Sequence, residues 1–178
     1  SLVSRMMGAK DLFRGYVLQT FVGVPSFFLL HQFPDNMIQV QAKDVLEPGH
    51  WYHVAVSYDG SGKAAGVKLY VNGQYQKPTI TIDKLKGPIT TESPFWIGNG
   101  HPGAKIKGLM DEVRIYDRTL TADEISELPG LSIGSLLEIE EANRNAEQSR
   151  RIRQVYLTEH APSDWREPYE LLEELKEK

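Results

Sequence analysis

The stretch Trp51-Tyr-His-Val-Ala-Val-Ser-Tyr-Asp-Gly60, followed by Val67-Lys-Leu-Tyr-Val-Asn-Gly73, decides the fold class of this chain. In both runs apolar and polar residues alternate, which places every second side chain on one face of a strand. Both runs end in Asp-Gly or Asn-Gly, residues that readily adopt the positive φ angles of tight turns. The pattern predicts two antiparallel β-strands, the first with a bulky inward face that begins at Trp51.

The same alternation continues on both sides of this stretch. Besides strands near residues 51–58 and 66–71, it predicts strands near 2–6, 12–20, 26–32, 37–42, 79–82, 94–97 and 106–116. Short strands separated by turn residues every eight to twelve positions or so are typical of an antiparallel sandwich or barrel. Residues 1–130 are therefore predicted to form a mainly β domain.

Helical signals begin after Thr119. Thr121-Ala-Asp-Glu124 is a capping box and predicts a short helix that ends at Pro129-Gly130. Residues 135–159 carry an apolar stripe, with acidic residues early and arginines late, so they predict one long amphipathic helix. Ala161-Pro162-Ser163 breaks it before a last helix. Residues 131–178 are therefore predicted to be a helical hairpin that acts as a linker or docking segment.

Composition and charge exclude several classes of function. The 178 residues include 20 Lys and Arg, 24 Asp and Glu and no Cys, for a net charge of −4. Without cysteine there is no disulfide, thiolate metal site or cysteine nucleophile. A strongly basic surface for nucleic acid is absent, and no apolar run approaches the roughly 20 residues of a membrane helix. We therefore expect neither a nucleic acid nor a membrane as partner.

Four blocks of sequence carry a family resemblance. They are the two runs quoted first, then Trp96-Ile-Gly98 and Gly108-Leu-Met-Asp-Glu-Val-Arg-Ile-Tyr-Asp-Arg-Thr-Leu120. In this order they resemble a laminin-G-like domain of the concanavalin A-like lectin/glucanase superfamily, which implies an antiparallel jelly-roll sandwich. Residues 58–73 and the helical tail are similar to the laminin-G-like insert of large multidomain planctomycete proteins that also carry cytochrome-like regions.

The resemblance has consequences for context. A laminin-G-like domain normally opens with further strands, so we expect N-terminal strands to be missing and the chain to be a fragment of a larger exported protein. The first residues lack the features of a signal peptide. The resemblance implies a periplasmic, cell-surface or extracellular location, with the helical tail between the sandwich and a neighbouring domain of the parent protein.

A glycoside hydrolase is the catalytic function to consider, since related sandwich enzymes use clustered acidic residues. Glu138-Ile-Glu-Glu141 has acidic residues at a spacing similar to that of the catalytic acids in these enzymes. On the predicted helix, however, side chains at positions i and i+2 point about 200° apart and cannot flank one glycosidic bond. A serine-nucleophile elbow, a phosphate-binding loop and a dinucleotide fingerprint are all missing. The chain is therefore predicted not to be an enzyme.

Asp111 is the candidate metal ligand. In relatives, the aspartate of such a closing strand often helps to hold a structural calcium ion, together with backbone carbonyls, and hard oxygen ligands suit that ion. The resemblance assigns this role to Asp111, although the opening segment that would complete the site is expected to be missing. The alternative is a buried, hydrogen-bonded carboxylate. No other cofactor is expected.

A sugar site needs a flat aromatic side chain with amides or charges beside it. Tyr75, Asn99 and His101, in predicted loops, are the candidate ligand-binding residues, and the alternative is that they are ordinary loop residues. Four lysines could also form a patch for an acidic polysaccharide if their loops converge, and otherwise form a solvated surface: Lys84, Lys86, Lys105 and Lys107. Two functions stay open, a carbohydrate-binding module and a protein-interaction or spacer module.

Overall fold

The computed structural model describes residues 1–6, 8, 13–99, 105–131 and 133–176. These residues divide into two compact units, Ser1–Ser126 and Glu127–Lys178. The first unit is built from antiparallel strands and the second from helices. The predicted fold class, an antiparallel sandwich followed by a helical extension, is therefore confirmed.

Two antiparallel sheets make up the first unit. In the described residues, the larger sheet has six strands in the order β8-β4-β3-β2-β1-β9, and the smaller has three in the order β5-β6-β7. The strands are β1 Val3–Met6, β2 Gly15–Phe21, β3 Val24–Gln32, β4 Asn36–Gln41, β5 Val54–Tyr58, β6 Val67–Val71, β7 Gln74–Gln76, β8 Thr79–Asp83 and β9 Trp96–Ile97. A helix, α1 (Ala122–Glu127), closes the unit.

The main core lies between the two sheets. One face of the six-stranded sheet contributes five buried side chains, and Val67 and Leu69 of β6 pack against them from the other sheet. The five are Leu18, Phe27, Leu29, Ile38 and Val40. A hydrogen bond from the Ala64 amide to Asp83 Oδ1, 2.9 Å long, also links β8 to the turn before β6. Apolar alternation in both sheets therefore produces the core between them, and a second, smaller apolar cluster of Val17, Leu30 and Met37 lies on the other face of the larger sheet.

The connection from β8 to β9 crosses the face of the larger sheet that carries this core. β8 and β9 are its opposite edges. On the way, the Lys86 amide donates to Asn36 Oδ1 (2.6 Å), Pro88 O contacts His31 Nδ1 (2.7 Å), and Arg5 Nε donates to Ser93 O (3.0 Å). These contacts follow the order β4, β3, β1. The connection from β8 to β9 therefore covers the part of the core that the narrower three-stranded sheet does not cover.

The strand predicted for residues 51–58 begins three residues later than expected. Its partner β6 ends at Val71, because Asn72 and Gly73 form a tight turn with φ angles of 49° and 74°. Beyond Val71 the Asn72 amide still donates to His53 O, but the His53 amide donates to the side-chain oxygen Oδ1 of Asn72 and not to a backbone carbonyl. Trp51 is therefore exposed, and the prediction that it faces inward is wrong. The same turn leads into β7, which the sequence analysis missed.

The strand predicted for residues 106–116 does not form. All of these residues are described, and none lies in a sheet. Leu109 and Ile115 are 79% and 66% exposed, and Glu112 has a φ of 53° that interrupts any strand at that position. A run with strand-like composition needs a neighbouring edge to pair with, and no strand in the described chain pairs with residues 106–116. We call residues 106–116 the closing segment.

The capping box at the start of α1 is confirmed. The Glu124 amide donates to Thr121 Oγ1 (3.2 Å), and the Thr121 amide donates to Glu124 Oε2 (2.8 Å). Arg118 makes two hydrogen bonds to the same carboxylate. These bonds, first the one from Arg118 and then the one from the Thr121 backbone, lower the pKa of Glu124 to about 2.

The second unit is helical, but the long helix predicted for residues 135–159 is broken. The structure has α2 (Ile133–Glu138), α3 (Ala146–Val155), which runs on into a π-turn, and α4 (Ser163–Lys176). Asn145 starts α3 with a capping box to Gln148, and Arg144 Nε donates to Ile139 O just beyond the end of α2. Local side-chain bonds of this kind begin and end helices, and the apolar stripe predicted none of them. Within the described residues, no helix has the length and hydropathy to cross a bilayer.

Candidate functional site

The outer face of the six-stranded sheet, turned away from the three-stranded sheet, carries the best candidate site. Residues directly opposite each other in an antiparallel pair share a face. The register places one residue of every strand in a row across the sheet: Trp96, Ser4, Val17, Phe28, Gln39 and Ile82. Six strands at about 4.8 Å spacing give this row a length of about 24 Å. A second row on the same face contains Gln19, Ser26, Gln41 and Thr79.

Three glutamines and one phenylalanine are accessible in these rows, and we call Gln19, Phe28, Gln39 and Gln41 the amide face. All four are half-buried. Gln41 Nε2 lies 3.4 Å from Ser26 Oγ, and Thr81 Oγ1 lies 3.5 Å from Gln41 Oε1, both long for hydrogen bonds. No hydrogen bond to the side chains of Gln19 and Gln39 is found within the described residues. Donors and acceptors on this face are therefore available to a ligand.

The part of the row between Phe28 and Trp96 is not accessible from the surface. Ser4 and Val17 are buried, and Ser4 Oγ donates to the carbonyl oxygen of Asn99 at 3.2 Å. Trp96, in the edge strand β9, is 45% exposed. It lies three strands from Phe28, or about 14 Å. The accessible surface therefore includes the amide face, Thr79 and Ile82 of β8 beside it, and, beyond a covered strip, an indole at the opposite sheet edge.

The amide face is uncharged. Asp83 is the one acidic residue in the strands that the structure describes for this sheet, and it pairs with Ile38 on the core side. A glycoside hydrolase needs two carboxyl groups about 5–10 Å apart around the bond that is cleaved, and these strands do not supply them on this face. The arrangement of amides around an aromatic ring can bind and orient hydroxyl groups.

The three predicted ligand-binding residues do not come together in one place. Tyr75 lies in β7 opposite Tyr70, with ring centroids 5.7 Å apart, on the face of the three-stranded sheet that points away from the core. Asn99 is half-buried beside Ser4, at the margin of the outer face of the larger sheet. His101 lies outside the described residues.

Asp111 is exposed, and its Oδ1 accepts a hydrogen bond from the Glu112 amide at 2.8 Å. The interpretation of Asp111 as a buried carboxylate is therefore wrong. In the described part of the chain, no three His, Cys, Asp or Glu residues form a group that could hold a metal ion. A calcium site would need further oxygen ligands beside Asp111, such as backbone carbonyls, and calcium binding at Asp111 stays a prediction.

The four lysines of the predicted patch lie at opposite edges of the larger sheet. Lys84 and Lys86 follow β8, and the Lys84 backbone amide donates a hydrogen bond to the carbonyl oxygen of Met37 in β4. Lys105 and Lys107 flank Ile106, whose amide donates to Gly98 O just after β9. Five strand spacings, about 24 Å, separate these edges. The lysines are solvated surface, and they do not converge on one ligand.

The sequence analysis missed the amide face, although one signal for it was available. Gln39 and Gln41 alternate with Ile38 and Val40 in a strand that the sequence predicts, so both amides had to share the face opposite the core. The predicted ligand-binding residues, Tyr75, Asn99 and His101, were instead assigned to loops. The alignment of Gln19 and Phe28 with these glutamines depends on register, which the sequence alone does not give.

The match to a family model agrees with the fold. A family model, Laminin_G_3, of the Concanavalin A-like lectin/glucanases superfamily matches residues 15–126. A crystal structure of an S-layer domain-containing protein from Clostridium thermocellum is similar at 26% sequence identity with a TM-score of 0.38, over 67% of this chain and 57% of that chain. The family match covers more than half of the sequence and includes β2 to β9. The chain therefore belongs to the laminin-G type of the concanavalin A-like lectin/glucanases superfamily.

Proposed function

We propose that this chain is a non-catalytic recognition module that binds carbohydrate through the amide face. The observation that carries the proposal is the set of accessible glutamines around Phe28 on an uncharged sheet face. A pyranose ring presents an apolar face to an aromatic side chain, and its hydroxyls pair with amide donors and acceptors. Family membership supports a lectin-like function, although fold alone does not determine function.

The shape of the face suggests the kind of carbohydrate. The accessible residues lie in two neighbouring rows across three strands and not in a deep pocket, so an extended oligosaccharide fits this open surface better than a single sugar. A chain long enough to pass the covered strip would also reach Trp96, about 14 Å from Phe28. We infer a neutral polysaccharide as ligand, because the described strands place amides on this face and no lysine or arginine. Arg5 pairs with Tyr16 on the core side of the sheet.

The cellular setting is part of the proposal. Membership of the laminin-G-like family supports a surface or extracellular module, so the module would act at the cell surface, in the periplasm or outside the cell. We propose that it is one part of a larger exported multidomain protein, of the planctomycete type that its sequence resembles.

A glycan-array screen followed by calorimetry tests the proposal. Each hydrogen bond to a ligand contributes about 0.5–1.5 kcal/mol, so the double variant Gln39→Ala/Gln41→Ala should bind about 5- to 150-fold more weakly. The matched control is Tyr75→Ala, which removes an exposed side chain from the other sheet and should not change affinity. Trp96→Ala should weaken binding only of longer oligosaccharides.

Two outcomes would contradict the proposal. One is the absence of binding to any glycan while circular dichroism shows an intact β fold. The other is binding that survives the double glutamine variant and disappears in Tyr75→Ala. Binding should also be the same in calcium and in chelator, because the described strands place no carboxylate on the amide face, and calcium sites depend chiefly on carboxylates.

A second function is favoured by a separate observation in the helical unit. Trp165, Leu172 and Leu175 are exposed on α4 at spacings of seven and three residues, which places them on one face of that helix. Such a face suits docking to a neighbouring domain. In the longer parent protein, the amides of α4 should then exchange hydrogen more slowly than in this chain alone, and equal exchange rates would contradict docking.

A further inference from the structure

We propose that the ligand of the amide face is a branched neutral polysaccharide, and that Phe33 binds its branch. This rests on the proposed function and adds a contact to the same site. Phe33 lies in the turn between β3 and β4 and is 50% exposed. Both strands lie inside the six-stranded sheet, with a neighbouring strand on each side. The exposure of Phe33 is therefore a property of the turn and not of an unpaired edge.

An apolar surface connects Phe33 to Phe28. Phe13 and Phe28 both pack against the second apolar cluster, which lies on the same side of the larger sheet as the amide face. The Phe13 ring also contacts the Phe33 ring in a T-shaped arrangement, with ring centroids 5.7 Å apart. Phe33 is five residues beyond Phe28, so the two residues lie at most about 17 Å apart. The apolar surface therefore runs along β3 from the amide face to the turn.

The backbone of Phe13 is strained in the conformation that makes this contact. Its φ of 60° is uncommon for a residue other than glycine and unfavourable for a bulky one. The Phe13 amide donates a hydrogen bond to Gly8 O at 3.3 Å, within the connection between β1 and β2. Strained residues of this kind occur preferentially at ligand sites. Phe13 is therefore a positioning residue, which holds the Phe33 ring at the surface.

Two aromatic side chains can be reached from Phe28, in different directions. Trp96 lies across the strands, beyond the covered strip, whereas Phe33 lies along β3. A linear chain that follows one direction leaves the other, but a chain with a branch at the sugar on Phe28 contacts both. Flat aromatic side chains stack on the apolar faces of pyranose rings. Beside Phe33, Gln32 and Asp35 are exposed and can pair with sugar hydroxyls.

Calorimetry with linear and branched oligosaccharides of equal size, prepared from amylopectin, a branched β-glucan and galactomannan, tests the proposal. The unchanged chain should bind the branched member of a pair about threefold to tenfold more tightly than the linear member. Phe33→Leu should remove this preference, and Phe33→Tyr, which keeps an aromatic ring, should retain it. The matched control is Phe21→Leu, at an exposed phenylalanine on the same sheet face near the other end of β2, which should leave the preference unchanged.

Phe13→Leu tests the positioning role. It should reduce the preference for the branched member and leave the affinity for the linear member unchanged. In the double variant Phe13→Leu/Phe33→Leu, the branched member should bind no more weakly than in Phe33→Leu alone, because Phe13 acts through Phe33. A loss of affinity for the linear member, or losses that add in the double variant, would contradict the positioning role.

Failure of this proposal is distinguishable from failure of the proposed function. Equal binding of the linear and branched members, with both weakened in Gln39→Ala/Gln41→Ala, would overturn the branch and leave the amide face as a binding site. A preference that survives Phe33→Leu, or that disappears in Phe21→Leu, would do the same. Binding that is indifferent to the double glutamine variant, or no binding of any of these oligosaccharides, would overturn both.

Discussion

β6 (Val67–Val71) and the closing segment have similar sequence patterns but different structures. Both contain alternating apolar residues with strand-forming composition. β6 lies between β5 and β7, and its Leu69 is fully buried. The closing segment has no strand neighbour among the described residues, and its Ile115 is exposed. The difference shows that alternation predicts the capacity to form a strand, whereas the strand itself requires an edge to pair with.

The largest expected effect is a difference in the free energy of unfolding between variants in β6 and variants in the closing segment. Leu69→Ala should lower the free energy of unfolding by about 2–5 kcal/mol, because it opens a cavity in the core between the sheets. Ile115→Ala should change it by no more than about 0.5 kcal/mol, as is usual for exposed positions. Urea unfolding measures both. Equal losses would show that the closing segment packs into the fold as β6 does.

The pH dependence of stability sharpens the placement of the closing segment beside β5. Burial, and then the guanidinium of Arg114, lower the pKa of His53, whose Nδ1 is buried without a hydrogen-bond partner among the described residues. The unfolded chain therefore binds this proton more readily, so the stability that neutral His53 contributes is complete above about pH 6.5 and is lost as pH falls through the folded pKa.

Replacement of Arg114 isolates its part in this effect. In Arg114→Gln, the pKa of His53 should rise toward its ordinary value but stay below it, because burial is the larger cause. The imidazole proton signals in an NMR titration report it directly. An unchanged pKa would mean that Arg114, and with it the closing segment, is not close to β5.

The smallest expected effect concerns a hairpin whose strands form despite an unsuitable turn. Val22, between β2 and β3, has a φ of 49° and is 81% exposed. Branched residues are strained in this region, whereas asparagine tolerates it. Val22→Asn should therefore stabilise the chain by about 1 kcal/mol, measured by urea unfolding, with Phe21→Asn as the control that leaves the turn angle untouched. A less stable Val22→Asn variant would mean that Val22 packs more than its exposure indicates.

Sequence alone predicted the paired strands well, since local pattern and tertiary partners agree there. Asn72-Gly73 turns the chain as its composition predicts, and Ile38 and Val40 lie in the core as their alternation requires. The predictions were wrong where a predicted strand residue has no neighbouring strand to pair with, and where a side chain caps the end of a helix. Trp51 has no residue of β6 to pair with, and Asn145 begins a new helix inside the predicted long one.

The candidate site was less predictable than the fold. Tyr75 and Asn99 were chosen as residue types suited to sugars, but they lie on different sheets. The amide face depends on cross-strand register, which brings Gln19 and Gln41 to opposite sides of Ser26. Register is set by turns, bulges and packing over the whole sheet, so one strand's sequence does not contain it.

The most direct test of the proposed function is an NMR titration of the labelled protein with a panel of soluble neutral oligosaccharides at millimolar concentration. It resolves the side-chain amides of Gln19, Gln39 and Gln41, and the amide of Tyr75 serves as an internal reference on the other sheet. We predict that a binding oligosaccharide shifts the three glutamine signals and leaves Tyr75 unchanged. Shifts centred on Tyr75, or no shifts with any member of the panel, would contradict a carbohydrate site on the amide face.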